Sequence, residues 1–276
     1  MREEQKAKIV EDLVKGKNIL ITGSYGLGKS TLAQELMHEL ACQEKFVVFY
    51  FPFPKPPKLI LIKAIEKLCL RGLNPPSGWK FSSLYQLCEI IIKYINGSPF
   101  NLVLFLDEAQ IITENAIQVY SELLNSGKVQ FVLCGHSPAF DEKFSSLKFK
   151  YFFNAFTVYK IEPLSYSEAK TFLDSCLKER KLNLDENTKT KLLLQAGGNL
   201  ANIIRGLDQI SQGEEPNVYT SQNSTNLFPL FIFLIFVIIG LKYLYRGVGD
   251  YALANFSGFL GLVLFFIIRY FYFWRK

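Results

Sequence analysis

The sequence predicts an α/β fold: a parallel sheet sandwiched by helices, then a small all-helical unit, then a C-terminal helical hairpin that spans a membrane. Three observations predict it. A glycine-rich turn, "GSYGLGKS", joins a short apolar run to an amphipathic segment. Further along the chain a buried-type strand, "NLVLFL", ends in two carboxylates. Two long and mostly apolar runs close the chain.

The first element is "ILITGSYGLGKSTLAQEL", Ile19 to Leu36, in which Asn18–Thr22 reads as a strand and Ser30–Leu40 as a helix. Gly23 to Ser30 follows GxxxxGK(S/T), the spacing of a phosphate-binding loop. The residues Gly23, Ser24, Tyr25, Gly26, Leu27, Gly28 and Thr31 bind the nucleotide, the glycine-rich backbone wrapping the phosphates and the helix from Ser30 pointing its positive end at them. Lys29 neutralises the β/γ-phosphates, and the Ser30 hydroxyl ligates Mg²⁺. An ordinary glycine-rich βα turn is the bland alternative. The strand and helix lie where the phosphate loop needs them, so the sheet is predicted to be of the P-loop NTPase kind, with ATP and Mg²⁺ as cofactors.

Lys45 to Phe51, "KFVVFYF", is β-branched and aromatic and suits a central strand. "FPFPKPP" breaks regular structure, and helices are predicted at Pro57–Leu70 and Ser82–Asn96. "NLVLFLDEAQ", Asn101 to Gln110, is a continuous apolar strand with an acidic pair at its end, the Walker B arrangement. Asp107 holds Mg²⁺ through water, and Glu108 orients or deprotonates the attacking water, which makes Glu108 and Lys29 the catalytic candidates. Val129 to Ser137 reads as the next buried strand. At its tip His136 and Ser137 are candidates either to sense the γ-phosphate or to cap the strand.

Charge and apolar content divide the chain. Its 276 residues carry a formal charge of +6. From Tyr219 onward Lys242, Arg246, Arg269, Arg275 and Lys276 against Asp250 leave +4, so the rest holds only +2. In such a near-neutral remainder no strongly basic face is evident, which leaves room for a local basic patch, and nucleic acid is not an expected partner. Five cysteines, widely spaced and without a CxxC pair, read as buried free thiols and not as a zinc site. "MREEQKAKIVEDL" at the N-terminus is charged and helical in pattern, unlike a secretory signal.

"GEEPNVYTSQNSTN", 213–226, reads as a polar linker. The apolar runs at about 227–246 and 251–273 each reach the length of a spanning helix if Lys242 and Arg269 snorkel. Tyr243, Tyr245, Tyr270, Tyr272 and Trp274 suit the aromatic belt at a bilayer surface. The predicted protein is a multi-pass membrane protein with two spans, its ATPase domain and C-terminus on the cytoplasmic side where ATP is available.

"GSYGLGKST", "LVLFLDEAQ", "IEPLSYSEAKTFL" (Ile161 to Leu173) and "AGGNLANIIRGL" (Ala196 to Leu207) resemble AAA+ ATPases, most of all the branch that holds ExeA/GspA-type general-secretion proteins and TniB-like transposition ATPases. The resemblance implies a P-loop core over 1–160 and a small helical lid over 161–212. It implies a membrane-anchored ATPase that assembles or remodels a secretion-type complex, with an unidentified membrane protein or further copies of itself as partners. A slow nucleotide-dependent switch that recruits a partner to the membrane is the alternative, and a DNA transposition or mobility ATPase a further one. Two departures stand out. No arginine lies between Ser137 and Ser165, where relatives place a finger for the neighbouring subunit; Lys143, Lys148, Lys150 and Lys160 are the nearby cations. Leu200 and Ala201 occupy the usual position of a lid arginine, and Arg205, one turn on, is either its replacement over the nucleotide or a solvated helix charge.

Overall fold

Alternation along the strands sets the architecture. In Asn101–Leu106 the side chains of Leu102, Leu104 and Leu106 enter one buried cluster while Val103 and Phe105 enter another, as the two-residue period of a strand covered on both faces requires. The computed structural model describes residues 3–137, 140, 147–212, 237, 238, 241–249, 251–253 and 255.

Five strands, β1 (Asn18–Gly23), β2 (Phe46–Phe51), β3 (Asn101–Leu106), β4 (Val129–His136) and β5 (Phe156–Lys160), form one parallel sheet in the order β2-β3-β4-β1-β5. Register pairs Ile19 with Val132 and Gly23 with His136 on one side of β4, and Leu102 with Val129 on the other. All strands end at the same edge, so the glycine-rich loop after β1 and the acidic pair after β3 flank the tip of β4. The helices α1 (Glu3–Val14) and α2 (Lys29–Ala41) cover one face. Covering the other are α3 (Pro57–Cys69), α4 (Leu84–Asn96), α5 (Glu114–Asn125) and α6 (Leu147–Phe153).

A third cluster, including Leu164, Leu173, Leu192, Leu193, Ile203 and Leu207, holds together α7 (Tyr166–Arg180), α8 (Glu186–Ala196) and α9 (Leu200–Ser211). Their starts are written in the sequence. Ser165 and Glu168 close a capping box, and Asp185 and Asn199 accept from the third backbone N–H of α8 and α9, satisfying helix-end donors that are otherwise unpaired.

Predicted and observed elements differ at edges. The helix expected from Ser82 begins at Leu84, because Ser83 serves as its cap and forms a box with Gln86. The strand expected to Ser137 stops at His136, and Ser137 is already helical. Of the cysteines expected to be buried, Cys88 and Cys134 are, whereas Cys42 is exposed and Cys69 and Cys176 are half-buried; all five are free.

Contacts divide the chain into Met1–Thr220 and Ser221–Lys276. The linker expected at 213–226 and most of the two apolar runs lie outside the described residues. Within the second unit 237–238, 241–248 and 251–253 are helical. Among the described residues no helix is long and apolar enough to cross a membrane.

One polar cluster ties the sheet to α1. Asp12 accepts from Lys17 Nζ at 2.9 Å and from the Tyr159 hydroxyl of β5 at 2.8 Å. Lys17, and then Tyr159, hold its carboxyl below the usual range. A carboxyl whose folded pKa lies below its unfolded value of about 4 stabilises fully above that value and loses the contribution as pH falls through the lowered one. Asp12→Asn is therefore expected to lower the urea midpoint at neutral pH and to flatten its decline in acid. Unfolding curves that match the parent at every pH would show that the cluster contributes nothing.

Candidate functional site

The glycine-rich loop leaves β1 at Gly23 and enters α2 at Lys29. Two of its residues need glycine: Gly26 and Gly28 sit at φ 77° and 82°, a region costly for side-chain-bearing residues. Gly28 is also the N-cap of α2 and supplies no side-chain cap. The first N–H groups of that helix thus face the cleft without a side-chain acceptor of their own, an arrangement suited to an anion.

Lys29 is buried, and its Nζ donates to Gly23 O at 3.0 Å and Ser24 O at 2.8 Å. Burial pushes its pKa down, opposed by the carboxylates of Asp107 and Glu108. An ammonium poorly hydrated and held by carbonyl oxygens is one that an incoming phosphate would pair with.

The carboxylates are held by residues that the motifs do not contain. Asp107 accepts from the Tyr50 hydroxyl at Oδ2 (2.8 Å) and from the Glu108 N–H at Oδ1 (2.8 Å). Burial, and then the bond to Asp107, push the Tyr50 phenol up, so it acts as a donor. Glu108 adopts φ 50°, uncommon for a residue with a side chain. Gln110 Nε2 donates to Glu108 Oε2, while its Oε1 accepts from the His136 N–H at 3.1 Å. A Cβ on Gly135 would lie 2.6 Å from that Oε1. Gln110 thus bridges the Glu108 carboxylate to the tip of β4.

His136 lies at that tip and reaches the loop: its ring stacks on Tyr25, centroids 4.2 Å apart and planes 24° off parallel. Its Nδ1 is buried and has no hydrogen-bond partner among the described residues. Of the two candidates at the strand end, His136 is the one in contact with the loop.

The lid rests on the loop directly. Asn199 Nδ2 donates to Tyr25 O at 2.7 Å, and the Ala201 N–H donates to Gly26 O at 3.1 Å. Between lid and core lies a cleft of about 590 Å³, a size that suits a small-molecule ligand. Its polar side carries Lys29, Ser30, Thr31, Asp107 and Glu108; its apolar side carries Leu164, Phe172, Leu200, Ala201 and Ile204. Arg205 carries two expectations, a place over the nucleotide or a solvated helix charge. It is exposed and does not line the cleft, since on α9 its neighbour Ile204 takes the inward position. Of the cations in the finger region, Lys148 pairs with Glu114 at 3.0 Å, Lys150 and Lys160 are exposed, and Lys143 lies outside the described residues.

Tyr50, Gln110 and Asn199 are the site residues that motif reading misses. Gln110 stands in the quoted "DEAQ" and Asn199 in "GGN", but neither spacing says what the side chain touches. Two substitutions test the cleft by calorimetric titration with ATP. Lys29→Ala is expected to weaken binding at least about tenfold, roughly 1.4 kcal/mol. Gly26→Ala is expected to weaken it by lifting the lid, because its Cβ would collide with Asn199 and come within 2.7 Å of Ala201. Parental affinity in both variants would exclude the cleft as the ATP site.

Residues 14–144 match the model of the AAA domain family. No curated protein matches the chain in sequence. Among solved structures, the Walker-type ATPase paby2304 of Pyrococcus abyssi is similar with a TM-score of 0.59 at 14% identity, over 89% of this chain and 75% of that one. The ORC2 protein of Aeropyrum pernix gives 0.54 at 15% identity, over 93% and 79%. For the ORC1 protein of the same organism the values are 0.55 and 15%, over 87% and 68%. At such identities the likeness is one of fold. Residues 14–144 thus resemble an AAA-type P-loop domain, on an α/β fold like that of these proteins.

Proposed function

We propose that the protein is a membrane-attached ATPase whose AAA-type domain binds and slowly hydrolyses Mg·ATP, and whose lid passes the nucleotide state to a complex assembled at the membrane. One observation carries the reading: a single cleft is lined by Lys29, Ser30, Asp107 and Glu108 of the core and by Phe172, Leu200 and Ala201 of the lid. A ligand that fills it touches both core and lid, so its gain or loss changes what holds them together.

The donor set fits ATP and Mg²⁺. The glycine backbone and the α2 N-terminus take the phosphates, and Lys29 balances their charge. Ser30 and Asp107 would hold Mg²⁺, which neutralises further phosphate charge when bound. Glu108 is the base or water-orienting group, and Gln110 and Tyr50 hold the two carboxylates in place. The A. pernix ORC2 protein, of like fold, is known in complexes with ADPNP and ADP, which supports a nucleotide here.

Membrane attachment rests on the two C-terminal apolar runs. Leu241, Tyr243, Leu244, Val248 and Tyr251 are exposed, which suits side chains facing lipid. The secretion-type role, with a membrane protein or further copies of the chain as partner, rests on the motif resemblance to the ExeA/GspA and TniB branch. A second reading, a timed switch that recruits its partner in the ATP state, is favoured by Arg205 lying outside the cleft and by the absence of arginine from 138–164. The A. pernix ORC1 protein is known in complex with DNA; that observation favours a nucleic-acid role, which the sequence likeness to transposition ATPases shares.

Glu108→Gln is expected to retain ATP binding and to stop phosphate release, because the amide keeps the shape and loses the proton acceptor. An arginine finger in related enzymes is worth about 10³–10⁵ in rate, and lysine lacks its bidentate fork. The parent protein alone is therefore expected to turn over on the order of once per minute or slower. Phosphate release by Glu108→Gln at the parental rate would remove that residue from the chemistry, and fast turnover rising steeply with protein concentration would replace the switch by a self-sufficient ring motor.

The full chain is expected to stay with membranes through carbonate extraction, whereas a chain ending at Thr220 is not. Release of the full chain by carbonate would overturn the two-span attachment.

A further inference from the structure

The near-neutral total of the chain before Tyr219 hides an asymmetry. Between β2 and β3, residues 52–96 hold seven Lys and Arg against Glu66 and Glu89, a local charge of +5. The remainder of the chain before Tyr219 is therefore net acidic.

Lys58, Lys63 and Lys67 bring part of that charge to the exposed surface of α3. Ile60, Leu61, Ala64, Ile65 and Leu68 enter the core. On the opposite side Leu59, Lys63, Glu66 and Leu70 follow at spacings of four, three and four, one stripe along the helix, and all are exposed. Lys58 and Lys67 flank the stripe and are exposed as well. Glu66, in its middle, pairs with Lys80 at 2.6 Å. That bond links the turn Trp79–Phe81 to the stripe through Lys80, the chain neighbour of Phe81. Leu70 is 87% and Phe81 91% exposed.

Two large apolar side chains standing almost wholly in water, among lysines, make a surface that is basic and apolar at once. An anionic bilayer complements both properties. Apolar tips enter the boundary between headgroups and acyl chains, and lysines remain at the level of the acidic headgroups. Single-stranded nucleic acid fits less well, since successive bases need successive aromatic platforms and, of the exposed apolar tips, Phe81 is aromatic while Leu70 and the stripe's Leu59 are not.

We propose that this outward face of α3, with Leu70 and Phe81 as its apolar contacts, lies on the anionic leaflet of the membrane to which the chain is attached. The proposal rests on the membrane attachment put forward above and adds to it an orientation of the ATPase domain that depends on lipid charge.

The two tryptophans provide the test. Trp79 lies in the turn itself and Trp274 in the C-terminal run, so Trp274→Phe leaves a single reporter. The full-length variant is reconstituted into vesicles of phosphatidylcholine, alone or mixed with phosphatidylserine, that carry bromine on their acyl chains as a quencher. Trp79 is expected to be quenched in the anionic vesicles and not in the neutral ones, and high salt should relieve the quenching. Adding Phe81→Trp places a second reporter at the apolar tip, where quenching should be stronger. Lys58→Glu with Lys63→Glu should remove about half or more of the quenching, with ATP affinity unchanged. Flotation with anionic vesicles while neither reporter is quenched would overturn the proposed face and leave the attachment standing. Failure to float would overturn both. Lipid quenching unchanged by the charge reversals, together with loss of oligonucleotide binding, would overturn the proposal and assign the face to nucleic acid.

Discussion

The lid is seated on the phosphate loop by two carbonyl oxygens, Tyr25 O and Gly26 O, which accept from Asn199 and from the backbone of Ala201. Much of the site's geometry follows from this pair of bonds. It requires Gly26, whose missing Cβ leaves room for Asn199, and it turns Leu200 and Ala201 toward the cleft. It also makes the loop a shared element, whose Gly23 and Ser24 carbonyls hold Lys29 while those of Tyr25 and Gly26 hold the lid. A peptide unit has both ends, so a loop that tilts its N–H groups to meet phosphate moves the oxygens that carry the lid. Coupling of this kind needs no long route through the core.

A second relay runs through the sheet. The order β3-β4-β1 places the tip of β4 between the acidic pair and the loop. From there the backbone of His136 reaches Glu108 through Gln110, and its ring reaches Tyr25. Tyr50 orients Asp107 from the far side. Each carboxylate is thus held by a neutral donor and not by a cation, which leaves its charge available to a metal or a water molecule.

The parts of this site legible in the sequence are those fixed over a few residues. "GSYGLGKS" prescribes its own backbone, and "LVLFLDEA" must be a buried strand with polar ends. Capping boxes at Ser83 and Ser165 are equally local. What is not legible depends on partners far along the chain: Asn199 and Tyr25 are 174 residues apart, and no spacing rule joins them. Arg205, for which the sequence leaves two readings open, shows a further limit. One turn of helix is a small step in sequence, yet the face of α9 turned to the cleft is the one that presents Ile204. The edge strand Phe156–Lys160 escapes a pattern reading because it is five residues long and partly exposed, whereas α5 carries a readable stripe in Ala116, Ile117, Tyr120 and Leu123. Net charge misleads in another way, since a sum over the whole chain before Tyr219 erases a basic segment that acidic residues elsewhere offset.

Most helices of the domain are closed at their starts by their own residues, Ser83, Thr113, Ser165, Asp185 and Asn199. α2, which packs at the centre of one face of the sheet, starts at a glycine that has no side chain to lend. Its first turn is completed by whatever anion the cell supplies. A ligand present at a hundred times its dissociation constant adds about 2.7 kcal/mol to the folded state, a large share of the margin typical of a domain. A copy with an empty loop would then be the less stable one, so the anion that closes α2 would be a structural component of the fold as well as the ligand of the site.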